Sequence, residues 1–409
     1  MIDTAQQADT RQPTATSLNA LDWANFFLAD VRDGLGPYLA IYLLTSRHWH
    51  AQNIGLAMSV MGIATVIAQT PAGIFVDQTQ KKRLFSIVAS LLIATASLLT
   101  ISLPTFGVIL GGQAMMGVAA AWFTPAIAAI TLGLVGHQAL DRRVGRNETF
   151  NHAGNVFAAV LAGLIGYYVR SEGIFVLLAV MSLLSSVAVW RIREDDIDHE
   201  LARGDGESEV RKGDEPSGWR AIGSNRAILF FALACVLFHF ANAAMLPLLG
   251  QRLANGIDAG TSSAYMSACI IVAQVVMIPV SNVTGRLAPK GRKRLLLIGF
   301  AVLPIRGLLY TLTNDPILLV TIQILDGVGA GIFGVLSILI VSDLTKGSGL
   351  FNTTQGAIAT AIGLGASLSN AFAGVIVQRS GYNTAFLTLT GIAVGALAVL
   401  WFFVPETKR

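Results

Sequence analysis

Charge is what this chain has least of. Asp, Glu, Lys and Arg fill only 13% of its 409 positions, against about a quarter in an average soluble domain. Cysteine is rarer still: Cys235 and Cys269 both fall in apolar runs and form no CxxC pattern, which argues against a disulfide framework or a structural metal site. A glycine-rich phosphate loop, an HExxH helix and a GxSxG nucleophile elbow are all missing. No enzyme activity, cofactor or metal is therefore expected. The first 17 residues are polar, with Arg11 as their one basic residue and no short apolar core, so they read as a cytoplasmic tail and not as a signal peptide.

What the chain has is apolar length. Hydrophobic residues make up 54% of it. Stretches such as "LFSIVASLLIATASLLTISL" (84–103) and "AFLTLTGIAVGALAVLWFFV" (385–404) carry no charge, and about 20 such residues span a bilayer as a helix. The fold class is an all-α polytopic membrane protein. Spans are expected at 18–46, 52–78, 84–103, 107–135, 149–170, 173–191, 226–251, 261–288, 294–313, 316–344, 350–379 and 382–405. Between the sixth and seventh, residues 192–225 are charged and without apolar periodicity, the composition of a soluble linker or of a pair of short surface helices. The chain then divides into a tail (1–17), a six-helix bundle (18–191), the linker, a second six-helix bundle (226–405) and a short tail (406–409).

Basic residues set the orientation. With the N-terminus inside, the inner loops hold "KKR" (81–83), "DRRVGR" (141–146), "KGRKR" (290–294), Lys346 and Lys408–Arg409, while the outer loops hold only Arg47, Arg170, Arg252 and Arg379. That bias puts both termini in the cytoplasm, in a cytoplasmic (inner) membrane. It also explains the pI near 9.2 without any nucleic-acid partner.

The halves echo each other. "QAMMGVAA" (113–120) matches "QILDGVGA" (323–330), 210 positions apart; "GYYVRSEG" (166–173) matches "GVIVQRSG" (374–381), 208 apart. "GIFVDQTQKKR" (73–83) and "GRLAPKGRKR" (285–294) both close the second span of their half. A near-constant offset points to a duplicated six-helix unit.

These landmarks resemble the major facilitator superfamily of secondary transporters over nearly the whole chain. The family's loop motif after its second helix is met by Gly73, Asp77, Lys81, Lys82 and Arg83, with Gln78 and Gln80 at departing positions. Its second copy is met by Gly285, Leu287, Ala288, Gly291, Arg292 and Lys293, with Pro289 in place of Asp. Gln113 and Gly117 occupy the positions of the family's fourth-helix Arg-x-x-x-Gly, and the fifth-helix antiporter signature survives as Gly154, Ala158, Ala159, Ala162 and Gly163, without its proline. The resemblance implies twelve helices in two pseudo-symmetric bundles, a monomer, and alternating access to a small-molecule substrate. It also implies a cytoplasmic gate, to which we assign Gly73, Asp77, Lys81, Lys82, Arg83, Glu148, His152, Gly285 and Arg292.

The charges inside the spans are the chemical signal. "FFLADVRDGLGPYLA" (26–40) carries Asp30, Arg32 and Asp33 within one apolar run, at a cost of roughly 2.5–3.5 kcal/mol for each charge at mid-bilayer. Such groups face a water-filled cavity or one another. At about 100° per residue the two acids lie about 60° apart on one helical face, and Pro37 withholds the amide that would bond the Asp33 carbonyl. Like charge and desolvation favour protonation of one acid, which is what proton coupling needs. The structural alternative is an ion pair, Asp33 with Arg306 or Arg32 with Asp326. Arg32, Gln113, His239, Asn242, Arg306 and Asp326 are the expected substrate contacts; Gln69, Gln274 and Gln323 recur as amides within spans. Glu148, His152 and Asn155 form a polar stripe on the fifth span, answered by Asn352 to Gln355 on the eleventh. The expected function is secondary active transport, as proton-coupled efflux of a small organic molecule or as proton symport importing an organic anion.

Overall fold

In a bilayer every backbone amide must bond within its own segment, so apolar runs of this length fold as helices. The computed structural model describes residues 13–31, 36–203, 225–255, 257–345 and 351–407, and every regular element among them is helical. In chain order these are α1 (Ala15–Val31), α2 (Gly36–Thr45), α3 (Ala51–Gln78), α4 (Lys82–Ser102), α5 (Phe106–Tyr168), α6 (Glu172–Arg191), α7 (Arg226–Ala243), α8 (Met245–Ala254), α9 (Ala259–Leu287), α10 (Lys293–Leu312), α11 (Pro316–Leu344) and α12 (Phe351–Phe403). Side-chain caps start several of them: Asn225 accepts from the amides of Ala227 and Ile228, and Asp315 from those of Ile317 and Leu318.

Two of these helices are really two passes each. Gly136 (φ 66°) breaks α5 and Gly381 (φ 81°) breaks α12, both in the left-handed region open to glycine. Counting α1 with α2 and α7 with α8 as one pass each, the described chain crosses twelve times, six in each half. The fifth pass differs from expectation. Helix resumes directly after Gly136, so "DRRVGR" (141–146) is helical and not a loop. Its charges suit a helix that projects beyond the apolar layer, a composition that reads as a loop when length alone is counted. The linker begins as two single 3₁₀ turns, Glu194–Asp196 and Leu201–Arg203, laid against the first half: the Asp198 amide donates to the Gly133 carbonyl at 2.9 Å.

Duplication is visible in the packing. Gly117 lets α5 approach the Met61 carbonyl of α3, and Gly327 lets α11 approach the Ala273 carbonyl of α9 in the same way. Pro71 and Pro279 sit inside the second pass of each half. Pro247 stands 210 positions after Pro37, just past the turn at Ala244 that separates α7 from α8. The halves are joined by α2 packing on α8 and α9, α3 on α12, and α5 on α9.

Those joints are tight at one end. On the face away from the termini, a Cβ on Gly55 of α3 would meet the Asn370 carbonyl of α12, and one on Gly374 would lie 2.6 Å from the Ala51 carbonyl. Ser59 Oγ accepts from the Ala371 amide at 2.8 Å, and Tyr38 OH donates to Ser267 Oγ at 2.8 Å. Towards the terminal face the helices diverge: Gly73, Gly285 and Gly356 have no non-local neighbour within 4 Å.

Candidate functional site

Divergence of α3 from α12 leaves a cavity of about 520 Å³ between the halves. Gly36 and Pro37 of α2, Met58, Met61, Thr65 and Gln69 of α3, and Gln113 of α5 form its first wall. The opposite wall is Asn242, Leu246 and Pro247 at the α7–α8 turn, Arg306 of α10, Asp326 of α11, and Ser367 and Asn370 of α12. Pro37 and Pro247, at equivalent positions of the two halves, therefore both border the cavity.

Arg306 organises the second wall. It is 2% exposed, a guanidinium wholly inside the bundle, and a buried charge stays only where it is paired. One terminal nitrogen binds Asp326 Oδ1 in an ion pair, the other Asn242 Oδ1. It also lies 3.4 Å from Met245 Sδ and over the Tyr310 ring. Gln323 Nε2 donates to Tyr310 OH at 2.5 Å, extending the polar core. The Asp326 side chain is 22% exposed, so its second oxygen faces the cavity. Neither that oxygen nor Asn242 Nδ2 has a protein partner among the described residues.

Behind this trio opens a side chamber of about 130 Å³, sharing Asn242, Arg306 and Asp326 with the main cavity. Phe238, His239 and Phe333 line it with Gly329 and Ala330. Five of the six expected substrate contacts thus converge on two adjoining spaces: Gln113, Asn242, Arg306 and Asp326 on the larger, His239 on the smaller. The sixth, Arg32, lies outside the described residues with Asp33, as does the Asp30 side chain. Among the described residues Arg306 and Asp326 pair with each other, because α10 and α11 pack side by side; the pairings expected with Asp33 and Arg32 fall on residues outside the described ones.

Gln69 borders the cavity, whereas Gln274 accepts a hydrogen bond from His152 Nδ1 at 3.2 Å across the α5–α9 joint. Sequence reasoning missed Met58, Met61, Thr65, Ser367 and Asn370. Only Asn370 carried a signal, as an amide inside an apolar span.

Among the expected gate residues, Lys82 Nζ donates to the Thr79 carbonyl at 2.6 Å. Arg83 binds Glu194 at 2.6 Å and the Trp190 carbonyl, tying the α4 start to the linker of its own half. Arg292 pairs with Asp343 at 2.7 Å within the second half. Glu148 accepts from Asn151 at 3.4 Å. Lys81 caps the start of α4, and Gly73 and Gly285 border open space. The Asp77, Asn352 and Thr353 side chains lie outside the described residues. Sequence reading also overlooked a buried cluster in the first half: Asp22, 3% exposed, binds Arg143 and Arg146, each at 2.6 Å.

The Major Facilitator Superfamily model matches residues 16–360 and 283–409. An "Uncharacterized MFS-type transporter" of Mycobacterium tuberculosis (Rv2456c in strain H37Rv, MT2531 in strain CDC 1551) is 48% identical over 393 residues, covering 95% of this chain and 93% of the relative. A crystal structure of a mutant of the nucleoside transporter NupG superposes with TM-score 0.77 at 17% identity, covering 95% of this chain and 100% of that one. A POT family transporter in complex with a thioalcohol-conjugated peptide gives TM-score 0.77 at 13% identity, covering 96% of each chain. At these identities the two solved structures speak for the fold alone. A duplicated twelve-pass bundle, a cavity between its halves and a family match over nearly the whole chain lead to one conclusion: this chain belongs to the Major Facilitator Superfamily and is a multi-pass secondary transporter, not an enzyme.

Proposed function

We propose that the transporter exports a small amphipathic organic molecule in exchange for protons, across a cytoplasmic membrane and with both termini in the cytoplasm. The observation that carries this reading is the cavity itself. It is of substrate size, faces the terminal side, and is lined by the Asp326 carboxylate, one oxygen of which has no partner among the described residues, beside an ion-paired arginine. The excess of Lys and Arg on the loops of the terminal side supports that side as cytoplasmic, so the cavity is taken as the inward-facing one.

Met58, Met61, Val66, Leu246 and two prolines supply apolar surface, while amides and hydroxyls supply a few oriented polar contacts. Among the described lining residues the charges are Arg306 and Asp326, which cancel. A bound molecule then need not carry a net charge. Arg306 is already engaged by Asp326 and Asn242, so an organic anion would have to compete with the Asp326 carboxylate for it. That weighs against the anion-import reading. Asp30 and Asp33 are the proposed proton carriers of the first pass, joined by Asp326 as the carboxylate open to the cavity.

The test is proton movement in inside-out vesicles with an acidified lumen, followed by a pH-sensitive dye, across a panel of neutral, cationic and anionic organic compounds. Proton release from the lumen on adding a compound, lost in Asp30→Asn, Asp33→Asn or Asp326→Asn, supports exchange. Anions moving together with protons, and no response to any other compound, would overturn export and shift the role of Arg306 to anion contact.

A further inference from the structure

The side chamber carries the substrate class. It adjoins the main cavity through Asn242, Arg306 and Asp326, and its volume of about 130 Å³ is close to the about 150 Å³ of a cavity that accepts a single benzene ring. One wall is aromatic, and Val302, Leu303 and Leu325 make the rest of it apolar. Phe238 and Phe333 lie nearly parallel, at 6° with centroids 5.5 Å apart, and the His239 ring stands edge-on to Phe333 at 4.8 Å.

Its polar groups are arranged as a pair. Arg306 holds Asp326 by Oδ1 and Asn242 by Oδ1. Each side chain is fixed at one end, and its other end has no protein partner among the described residues: an acceptor on Asp326, a donor on Asn242 Nδ2. Both residues bind terminal nitrogens of one planar guanidinium, and both line the chamber. His239 adds a third polar group, with Nε2 buried and unpartnered. An ammonium ion fits this setting poorly, since the Arg306 charge already neutralises the Asp326 carboxylate and would repel a second cation beside it. A neutral ring with an N–H next to a carbonyl or a ring nitrogen fits all three conditions of size, shape and valence.

We propose that the side chamber is a recognition subsite for a planar nitrogen heteroaromatic ring bearing a lactam or amidine edge. The ring N–H donates to Asp326 Oδ2, its neighbouring acceptor takes a hydrogen from Asn242 Nδ2, and the rest of the molecule occupies the main cavity. The inference rests on the transport reading above and goes further in naming what is carried. It also supplies a reason for exchange: a proton and the ring N–H use the same carboxylate oxygen, so binding of one releases the other.

The experiment uses the full chain in lipid nanodiscs and the probes 2-pyridone, 2-aminopyridine and N-methyl-2-pyridone, with binding read by saturation-transfer NMR. The first two should bind saturably. The third lacks the N–H and should bind at least about tenfold more weakly, because a site built to hydrogen-bond a donor rejects the analogue without it. Phe333→Trp, which fills the chamber, and Asn242→Ala, which removes the donor, should each abolish 2-pyridone binding. Equal binding of the N-methyl analogue, or full binding by Phe333→Trp, would overturn the subsite. Proton movement in vesicles separates the two readings. Transport of some other compound with no competition by 2-pyridone overturns the ring subsite and leaves exchange standing. Saturable 2-pyridone binding with no proton movement supports the subsite and overturns exchange.

Discussion

Replacing Asp326 by Asn tests whether the second wall is held together by charge. The guanidinium of Arg306 is 2% exposed and has no water to fall back on. With the carboxylate gone it keeps Asn242 and the Tyr310 ring but loses its compensating charge. Breaking a buried pair from one side costs about 3–5 kcal/mol. Arg306→Met should cost less, about 1–3 kcal/mol, because the Asp326 carboxylate it strands is 22% exposed and can be hydrated or protonated from the cavity. The double variant removes both the charge and its partner, so it should be less destabilised than the sum of the singles by at least about 2 kcal/mol. A double-mutant cycle read from SDS-driven unfolding in mixed micelles measures this coupling directly. Additivity within about 0.5 kcal/mol, or an Asp326→Asn cost below about 1 kcal/mol, refutes the buried pair as the organiser of the site.

Three further outcomes follow from other parts of the fold. Asp22→Ala strands the buried Arg143 and should destabilise the first half by about 3–5 kcal/mol, whereas Arg146→Ala removes a half-exposed partner and should cost about 1 kcal/mol or less; the same unfolding assay ranks them, and the reverse order sinks the assignment. Gly55→Val forces apart the α3–α12 contact at the distal face, an overpacking cost of about 1–3 kcal/mol borne by the closed state alone, so spin labels at Ser46 and Ile257 should report a longer distance by double electron–electron resonance. An unchanged distance means that face is not closed by close approach. Finally, Asp196 accepts from Thr14 and Ser17 at the start of α1. Burial raises its pKa, but the hydrogen bonds from Ser17 and Thr14, with the charge of Arg193, outweigh it and leave the carboxyl below the ordinary value. A depressed pKa gives stability that is full above the unfolded carboxylate range near pH 4 and fades as pH falls through the folded value. Amide exchange around residues 14–20 should therefore quicken on acidification in the natural protein and be fast at all pH values in Asp196→Ala.

Much of this was legible in the sequence because membranes make polarity conspicuous. Asn242, Arg306 and Asp326 each interrupt an apolar run, and the constant offset between halves implied a duplicated six-helix unit. What stayed hidden followed from the same physics. Met58 and Met61 line the cavity yet look like any lipid-facing apolar residue, since the side of a helix that faces a cavity is not marked by composition alone. The Asp22 cluster was missed because its arginines sit in "DRRVGR", whose charge density reads as a loop; only Gly136 upstream signalled that a new helix begins there. The partner of Arg306 could not be chosen from sequence, because pairing depends on which helices touch, and α10 touches α11.

The shared carboxylate leads to a last prediction. If the ring N–H and a proton use the same Asp326 oxygen, 2-pyridone binding must weaken as pH falls, since a protonated carboxyl offers a donor where the ligand also offers one. His239 of α7, Arg306 and Tyr310 of α10 and Cys269 of α9 are its charged or titratable neighbours. Of these His239 is the rival sensor, because it shares the chamber with Asp326 and its Nε2 has no partner among the described residues. Two variants separate them. In His239→Ala the acid weakening should persist, because the carboxylate is still there. In Asp326→Asn the amide oxygen keeps an acceptor in place but no longer titrates, so residual binding should be flat with pH. The opposite pattern, flat in His239→Ala and acid-weakened in Asp326→Asn, would move the proton from the acid to the histidine. It would also break the exchange argument, because a proton on the imidazole ring does not occupy the oxygen that the ligand needs.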